Sequence, residues 1–411
     1  MRPPRIGNLA LCLLVAVGGA AGCRRGSETT YQTYGTAAPA YVPREGSGNA
    51  FDGYALAAMQ VEQQGGKHLT RVSFYPDQKR AAMAICAPAL RLVASASRQA
   101  CEFEYVPRRP FEPAPYQRGW RLIGRAMRWR IEEAAQAERW GEAVSETVLA
   151  TRFGFDLAGG GATDASLGLA IADDARQAIL PFIAKIPTGD LERLNLGLQE
   201  AIKRKPKLSV VVGHERDEAH LAVETLQDSY RADQWDAFRQ NLGLDVREAI
   251  QYLRDLRKEG ESERVAYFNG LYQEGEAQLE YLQKAADMTA AERAALPKPT
   301  LKRERPWKRF ARHFFETARP LIELNDRAMA RTRMLAIHAE LVRLGKKAGS
   351  FPSTLRALPA ELTIDPYTGK PFAYRADRVQ FLLYSFGVNL RDDGGDTDES
   401  ATVPDLKLEG M

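Results

Sequence analysis

Cysteine and histidine are both scarce in this chain of 411 residues, with four of the first and five of the second. Four thiols exclude a disulfide-rich scaffold. The five histidines, His68, His214, His220, His313 and His338, are scattered without the spacing of metal ligands. The nearest approach is His214-Glu215-Arg216-Asp217-Glu218-Ala219-His220, where Glu218 stands in the place that an H-E-x-x-H helix gives to its second histidine. A polar helix face is the reading for that stretch. There is no G-x-S-x-G elbow, no Walker loop and no C-x-x-C pair, and Gly159-Gly160-Gly161 does not follow a strand as a dinucleotide loop would. Nucleophilic and metal catalysis therefore lack identifiable parts. Charge of one sign is also lacking. Lys and Arg total 57 against 53 acidic residues, and without Arg2 and Arg5 the balance is 55 to 53, which argues against a nucleic-acid binder. Beyond the first residues no apolar run reaches the 18 or more that mark a membrane helix. The 45% hydrophobic and 27% charged content is that of an ordinary folded protein.

What is present begins at the N-terminus. Arg2 and Arg5 precede the apolar stretch Leu9 to Val17, and small residues follow, which is the layout of a removable signal peptide over residues 1–22. Ala20-Ala21-Gly22-Cys23 resembles the lipobox of bacterial lipoproteins, with Ala20 where that family usually has leucine. The resemblance implies that Cys23 becomes the first residue and carries diacylglycerol and an amide-linked acyl chain such as palmitate. Two or more chains anchor a protein stably where one does not. By the same analogy, the absence of Asp at position 24 implies sorting to an outer membrane where the host has one. Residues 23–49, rich in Gly, Ser, Thr, Ala and Pro, read as a flexible tether with a typical span of about 28 Å. Cys12 leaves with the signal, so Cys86 and Cys101 remain. An even remainder in an exported chain suggests a bridge between them, against the alternative of a buried free Cys86 on an apolar helix face.

Residues 50–319 read as a helical domain. Ala82, Cys86, Leu90 and Val93 share one face at helical spacing, with Pro88 expected to kink or split that helix. Val106 to Pro115 carries too many prolines for a helix and is expected as a rigid connector. Leu122, Ile123, Met127 and Ile131 form a second stripe, Val144, Val148 and Phe155 a third, and Leu167, Ile171, Ala175, Ala178 and Phe182 a fourth. Helices of similar length with short turns predict an antiparallel stack, open to a solenoid-like arrangement, although no strict 34-residue repeat is visible. Thr289 with Glu292 predicts a capping box. The basic stretch Lys298 to Arg312 with Trp307 and Phe310 reads as a solvated helix start, with a lipid-facing patch as the alternative.

Residues 320–411 change character. A helix through Met334, Ile337, Leu341 and Leu344 should end at Lys346-Lys347-Ala348-Gly349. Phe372 to Arg375 and Val379 to Ser385 read as two short strands. The succession Phe351-Pro352-Ser353-Thr354-Leu355, Asp365-Pro366-Tyr367-Thr368-Gly369-Lys370-Pro371, Tyr384-Ser385-Phe386-Gly387 and Asp392-Asp393-Gly394-Gly395 resembles the C-terminal part of major pseudopilins of type II secretion. It also resembles the tails of exported bacterial proteins that join a helical body to such a module. That resemblance implies a small α+β module with an acidic tail and a calcium ion near Ser385, Asp392, Asp393, Asp396 and Asp398. Calcium suits such a loop because it takes six to eight oxygens. The chain as a whole reads as mainly α, a lipid-anchored scaffold or interaction protein of the cell envelope. It would be held to the membrane by its lipid, would meet an envelope protein partner, and would require no cofactor, with calcium as the one candidate ion and a solvated acidic tail as the alternative. Two alternatives stand beside this reading: an envelope hydrolase with its site in the helical groove, marked by convergence of His214, Glu218 and His220, and a component associated with a secretion apparatus.

Overall fold

A computed structural model describes residues 41–65, 75–112, 115–299, 306–395 and 405–408. Cys23 and the signal segment, like Asp396 and Asp398, lie outside the described residues. The fold is mainly helical with a small two-stranded antiparallel sheet near the C-terminus. In chain order come α1 (Ala50–Gln63), α2 (Pro76–Ala96), α3 (Gln117–Gln136), α4 (Trp140–Leu157), α5 (Ala162–Ile179), α6 (Thr188–Arg204) and α7 (Leu208–Ala232). Then follow α8 (Asp236–Leu242), α9 (Arg247–Leu256), α10 (Glu261–Ala286), α11 (Ala290–Ala294), α12 (Lys308–Phe315), α13 (Arg319–Ala348) and α14 (Ala360–Thr363), before strands β1 (Ala373–Ala376) and β2 (Phe381–Tyr384). Among the described residues no helix is long and apolar enough to cross a membrane.

Local chemistry sets the helix ends. Asn49 caps α1 by accepting from the Phe51 amide at 3.0 Å. Thr289 and Glu292 form the expected capping box, each side chain accepting from the other's amide, at 3.2 and 2.8 Å. Gly349 ends α13 at φ +74°, a left-handed conformation that suits glycine. Pro88 does not split its helix in two. α2 runs through it, with Cys86, Ala89, Leu90 and Val93 buried on one face to offset the lost hydrogen bond.

The packing is closest between α4 and α5. A Cβ placed on Gly154 would stand 2.3 Å from the Gly168 carbonyl oxygen, and one on Gly168 would stand 2.2 Å from the Gly154 oxygen. Two glycines facing each other thus let the backbones touch. α13 packs on α5 and α6 and sends Met334, Leu335, Ile337 and Leu341 into the main hydrophobic cluster, which also holds Tyr367, Phe372 and Leu383. Its first turns enter a second cluster with Leu208, Val211 and Leu282. The C-terminal segment therefore shares its core with the helical body. β1 and β2 pair antiparallel with Ala373 opposite Tyr384, and Phe381 meets His338 of α13 and Phe351 edge-on at 5.0 and 4.9 Å. Burial lowers the His338 pKa to about 4.

The expected Cys86–Cys101 bridge is corrected by the structure, in which both thiols are free. Cys86 lies ten residues before the end of α2, about 15 Å back along the axis at 1.5 Å per residue. The chain beyond α2 does not return along the helix. The Ala50 amide donates to the Ala100 carbonyl at 2.9 Å, and the Asn49 side chain both donates to the Glu102 carbonyl and accepts from its amide, at 2.8 and 3.0 Å. Cys101 is thereby fixed at the start of α1, out of disulfide reach.

Candidate functional site

The segment Ala100 to Glu112 has no regular structure, as its prolines require, and it carries the most distinctive chemistry of the molecule. Together with the starts of α1 and α3 it forms a cleft of about 170 Å³. Six aromatic side chains line it: Tyr41, Phe51, Phe103, Tyr105, Tyr116 and Trp120. Phe51 is central, with ring centroids 4.3 Å from Phe103, 5.2 Å from Tyr41 and 6.2 Å from Trp120. The Trp120 indole donates to the Tyr54 carbonyl at 2.9 Å. Tyr116 stands at φ +67°, costly for a side chain of that size, and its hydroxyl is tied to the Tyr41 carbonyl. The Tyr41 hydroxyl in turn donates to the buried Asp52. Burial together with that carboxylate pushes the Tyr41 phenol up to about 12.

Beneath the aromatics lies a buried ion network. Arg108 donates from Nε to Glu218 of α7 at 2.9 Å and places Nη2 3.7 Å from Asp164 of α5. Burial alone would lower the Arg108 pKa, but the charges of Glu218 and Asp164 outweigh it and hold the guanidinium above its usual range. Asp164 is raised by burial despite Arg108 and a bond from Gln117 at 2.6 Å. Glu215 is raised by burial and by the Glu218 charge, although it accepts from the Ala162 amide at 2.7 Å and from the Thr317 hydroxyl at 2.6 Å. His214 stacks on Tyr105 with centroids 4.0 Å apart and sets Nδ1 3.2 Å from the Gly160 oxygen. The glycine turn before α5 is tight here. A Cβ on Gly160 would fall 2.6 Å from Phe103 and 2.7 Å from Asp164, so only glycine lets the connector close over the turn.

Of the residues considered for zinc or hydrolytic chemistry, His214 and Glu218 both lie against Tyr105, and His220 lies apart from them. His214 faces the α4–α5 turn, whereas His220 pairs with Glu276 of α10. Glu218 belongs to the Arg108 network instead. The described members of the expected calcium set are engaged within the fold. Ser385 donates to Asp365 at 2.9 Å, Asp392 accepts from the Tyr384 hydroxyl and the Gly394 amide at 2.7 and 3.0 Å, and Asp393 accepts from Asn389 at 2.7 Å. The amides of Asp393 and Gly395 donate to Asp405, at 3.1 and 2.7 Å. Among the described residues no group of three or more His, Cys, Asp or Glu side chains is placed to hold a metal ion.

Sequence reasoning missed the cleft. Arg108 and Glu218 are 110 residues apart and fall within no motif. The only local signal was a proline-rich connector carrying Phe103, Tyr105 and two arginines, unusual for a plain spacer. Comparison with protein-family models, with curated proteins and with solved structures finds no match.

Proposed function

We propose that this chain is a lipid-anchored binding protein of the bacterial cell envelope, without catalysis of its own, whose aromatic cleft takes up a ligand or an exposed group of an envelope partner. The cleft carries the reading, because a concave site with an aromatic lining and a few placed charges is how proteins hold small organic groups. The buried carboxylates support binding over hydrolysis. Both oxygens of Glu215 accept protein donors, and Asp164 is shared between Gln117 and Arg108. A general acid must reach its substrate with a free oxygen. The signal layout and Cys23 motivate the anchor. Two measurements test the proposal. Cys23→Ser should move the protein from the membrane fraction to the soluble one, and unchanged association would remove the anchor from the reading. Small aliphatic and aromatic fragments should bind in ligand-detected NMR and be displaced by Tyr116→Arg, which fills the cleft; binding untouched by that change would remove the cleft.

A second reading has one observation in its favour, the long helix α13 followed by the β1–β2 hairpin, in the order that the resemblance to pseudopilins implies. It makes the chain a secretion-apparatus component that keeps a pseudopilin-like end for contact. Val379, 85% exposed between the strands, is the position for a photocrosslinker. Adducts with secretion subunits support this reading, and their absence from intact cells overturns it.

A further inference from the structure

We propose that the cleft recognises a quaternary ammonium group, the head of a choline-like compound. This rests on the reading of the cleft as a ligand site and adds the class of ligand. Size is the first argument. At about 170 Å³ the cleft is smaller than the roughly 300–1,000 Å³ of sites that enclose a drug-sized molecule, so it has room for a head group.

The second argument is what the lining leaves unused. The Tyr41 hydroxyl is spent on Asp52, the Tyr116 hydroxyl on the Tyr41 carbonyl and the Trp120 indole N–H on the Tyr54 carbonyl. Phe51 and Phe103 have no polar atom to offer, and the Tyr105 hydroxyl is buried beside Glu218. The half-buried rings of Tyr41, Phe103, Tyr105 and Tyr116 therefore present mainly π-surface, whose face is negative and attracts a cation without a hydrogen bond. A quaternary ammonium carries full charge and no N–H. A primary ammonium or a guanidinium would enter with donors that the rings cannot satisfy, and since Glu104 and Glu112 are exposed and Asp164 is engaged by Gln117 and Arg108, those donors would carry a desolvation cost.

Charge balance is the third argument. Glu104, Glu112 and Asp164 line the cleft; Arg44 reaches Glu104 at 3.6 Å but is shared with Asp52, and Arg108 is shared between Asp164 and Glu218, so the carboxylates outnumber the cations. The field in the cleft is thus set by surplus carboxylate, which favours a cation and disfavours an anion.

The test is calorimetric titration of the full chain in a choline-free detergent with choline and with its uncharged isostere 3,3-dimethylbutan-1-ol. Choline should bind at least about tenfold more tightly, the preference expected when a cation meets two or more aromatic faces. Phe103→Leu, which keeps apolar volume but removes a ring, should abolish most of that preference. A Glu104→Gln, Glu112→Gln double variant, which leaves the aromatic packing alone, should weaken choline binding and reduce its salt dependence. Equal affinity for choline and the isostere overturns the inference while leaving the cleft a ligand site. Binding of neither also overturns the inference, and the fragment titration then decides whether the cleft remains a ligand site. Choline affinity unchanged in both variants places the cation elsewhere and also overturns it. Two further arms separate the sources of the head group. With Cys23→Ser, retention on phosphatidylcholine vesicles but not on phosphatidylglycerol vesicles identifies a lipid head, whereas competition by free choline without vesicle retention identifies a soluble compound.

Discussion

Replacing Arg108 with methionine tests whether the charges beneath the cleft form a buried network or a surface decoration. The Arg108 side chain is 14% exposed, Asp164 7% and Glu218 25%. Removing one partner of a buried pair costs about 3–5 kcal/mol, because the other charge is left without compensation. An exposed pair is worth only about 0–1 kcal/mol. The two cases separate cleanly, and the larger one is a sizeable share of a total stability of about 5–15 kcal/mol. The loss should also depend on pH. Asp164 already sits above its ordinary pKa through burial, and without Arg108 it rises further. A carboxyl raised on folding costs stability above its folded pKa and recovers it as pH falls through that value. Urea unfolding at pH 7 and pH 5 should therefore show a large loss at the first and a smaller one at the second. An added Asp164→Asn change should recover part of the loss at pH 7. A pH-independent loss below about 1 kcal/mol would refute the buried-network account.

Glu215 is raised in the same sense, by burial and then by Glu218, so wild-type stability should fall as pH rises through its folded pKa. Glu215→Gln should flatten that slope, with Nε2 taking over the contact with Thr317, and an unchanged pH profile would contradict the assignment. Gly154→Ala should lower stability by about 1–3 kcal/mol in urea, since its Cβ meets the Gly168 carbonyl and forces α4 from α5. A neutral result would mean that the helices can part at no cost. Peptide mass spectra without reductant should find Cys86 and Cys101 unlinked. Burial pushes the Cys86 thiol up to about 12, so it should resist alkylation in the native protein. A recovered Cys86–Cys101 peptide would refute this.

The apolar period exposed the helices well because burial alone dictates it. The helix through Met334 to Leu344 ends at Gly349 as the sequence predicts, and the capping box at Thr289 is where the sequence places it. The two strands are also where the pattern of Phe372 to Ser385 puts them, the first displaced by one residue toward the C-terminus and the second shorter by two residues at its start and one at its end. Pro88 does not split α2, because the loss of one hydrogen bond is outweighed by a buried face that only the tertiary fold supplies. The cysteine pair misled because its geometry is also set by the tertiary fold. Two leftover thiols in an exported chain invite a bridge, but the Asn49 contacts that hold the connector at the start of α1 are long-range and leave no periodic trace. The cleft was illegible on the same grounds, being assembled from α1, α3, the start of α5 and an irregular segment that no motif unites.

That irregular segment also explains why the site lies where it does. A connector without helix or strand has no ladder of its own to hold it in place, and here Arg108, inserted between two helices, ties it to the body through Glu218 and Asp164. The start of α5 makes this tolerable. Asp164 lies in the first turn, and Glu215 accepts from the Ala162 amide, so both carboxylates meet the positive end of the helix dipole as well as the guanidinium. The closely packed glycine turn then lets Phe103 and Tyr105 settle on that base, with His214 stacked behind Tyr105. The ion network and the aromatic lining are in this way one construction. Charges fixed below by mutual pairing hold rigid the rings above, and a rigid set of rings loses little conformational entropy when a ligand enters.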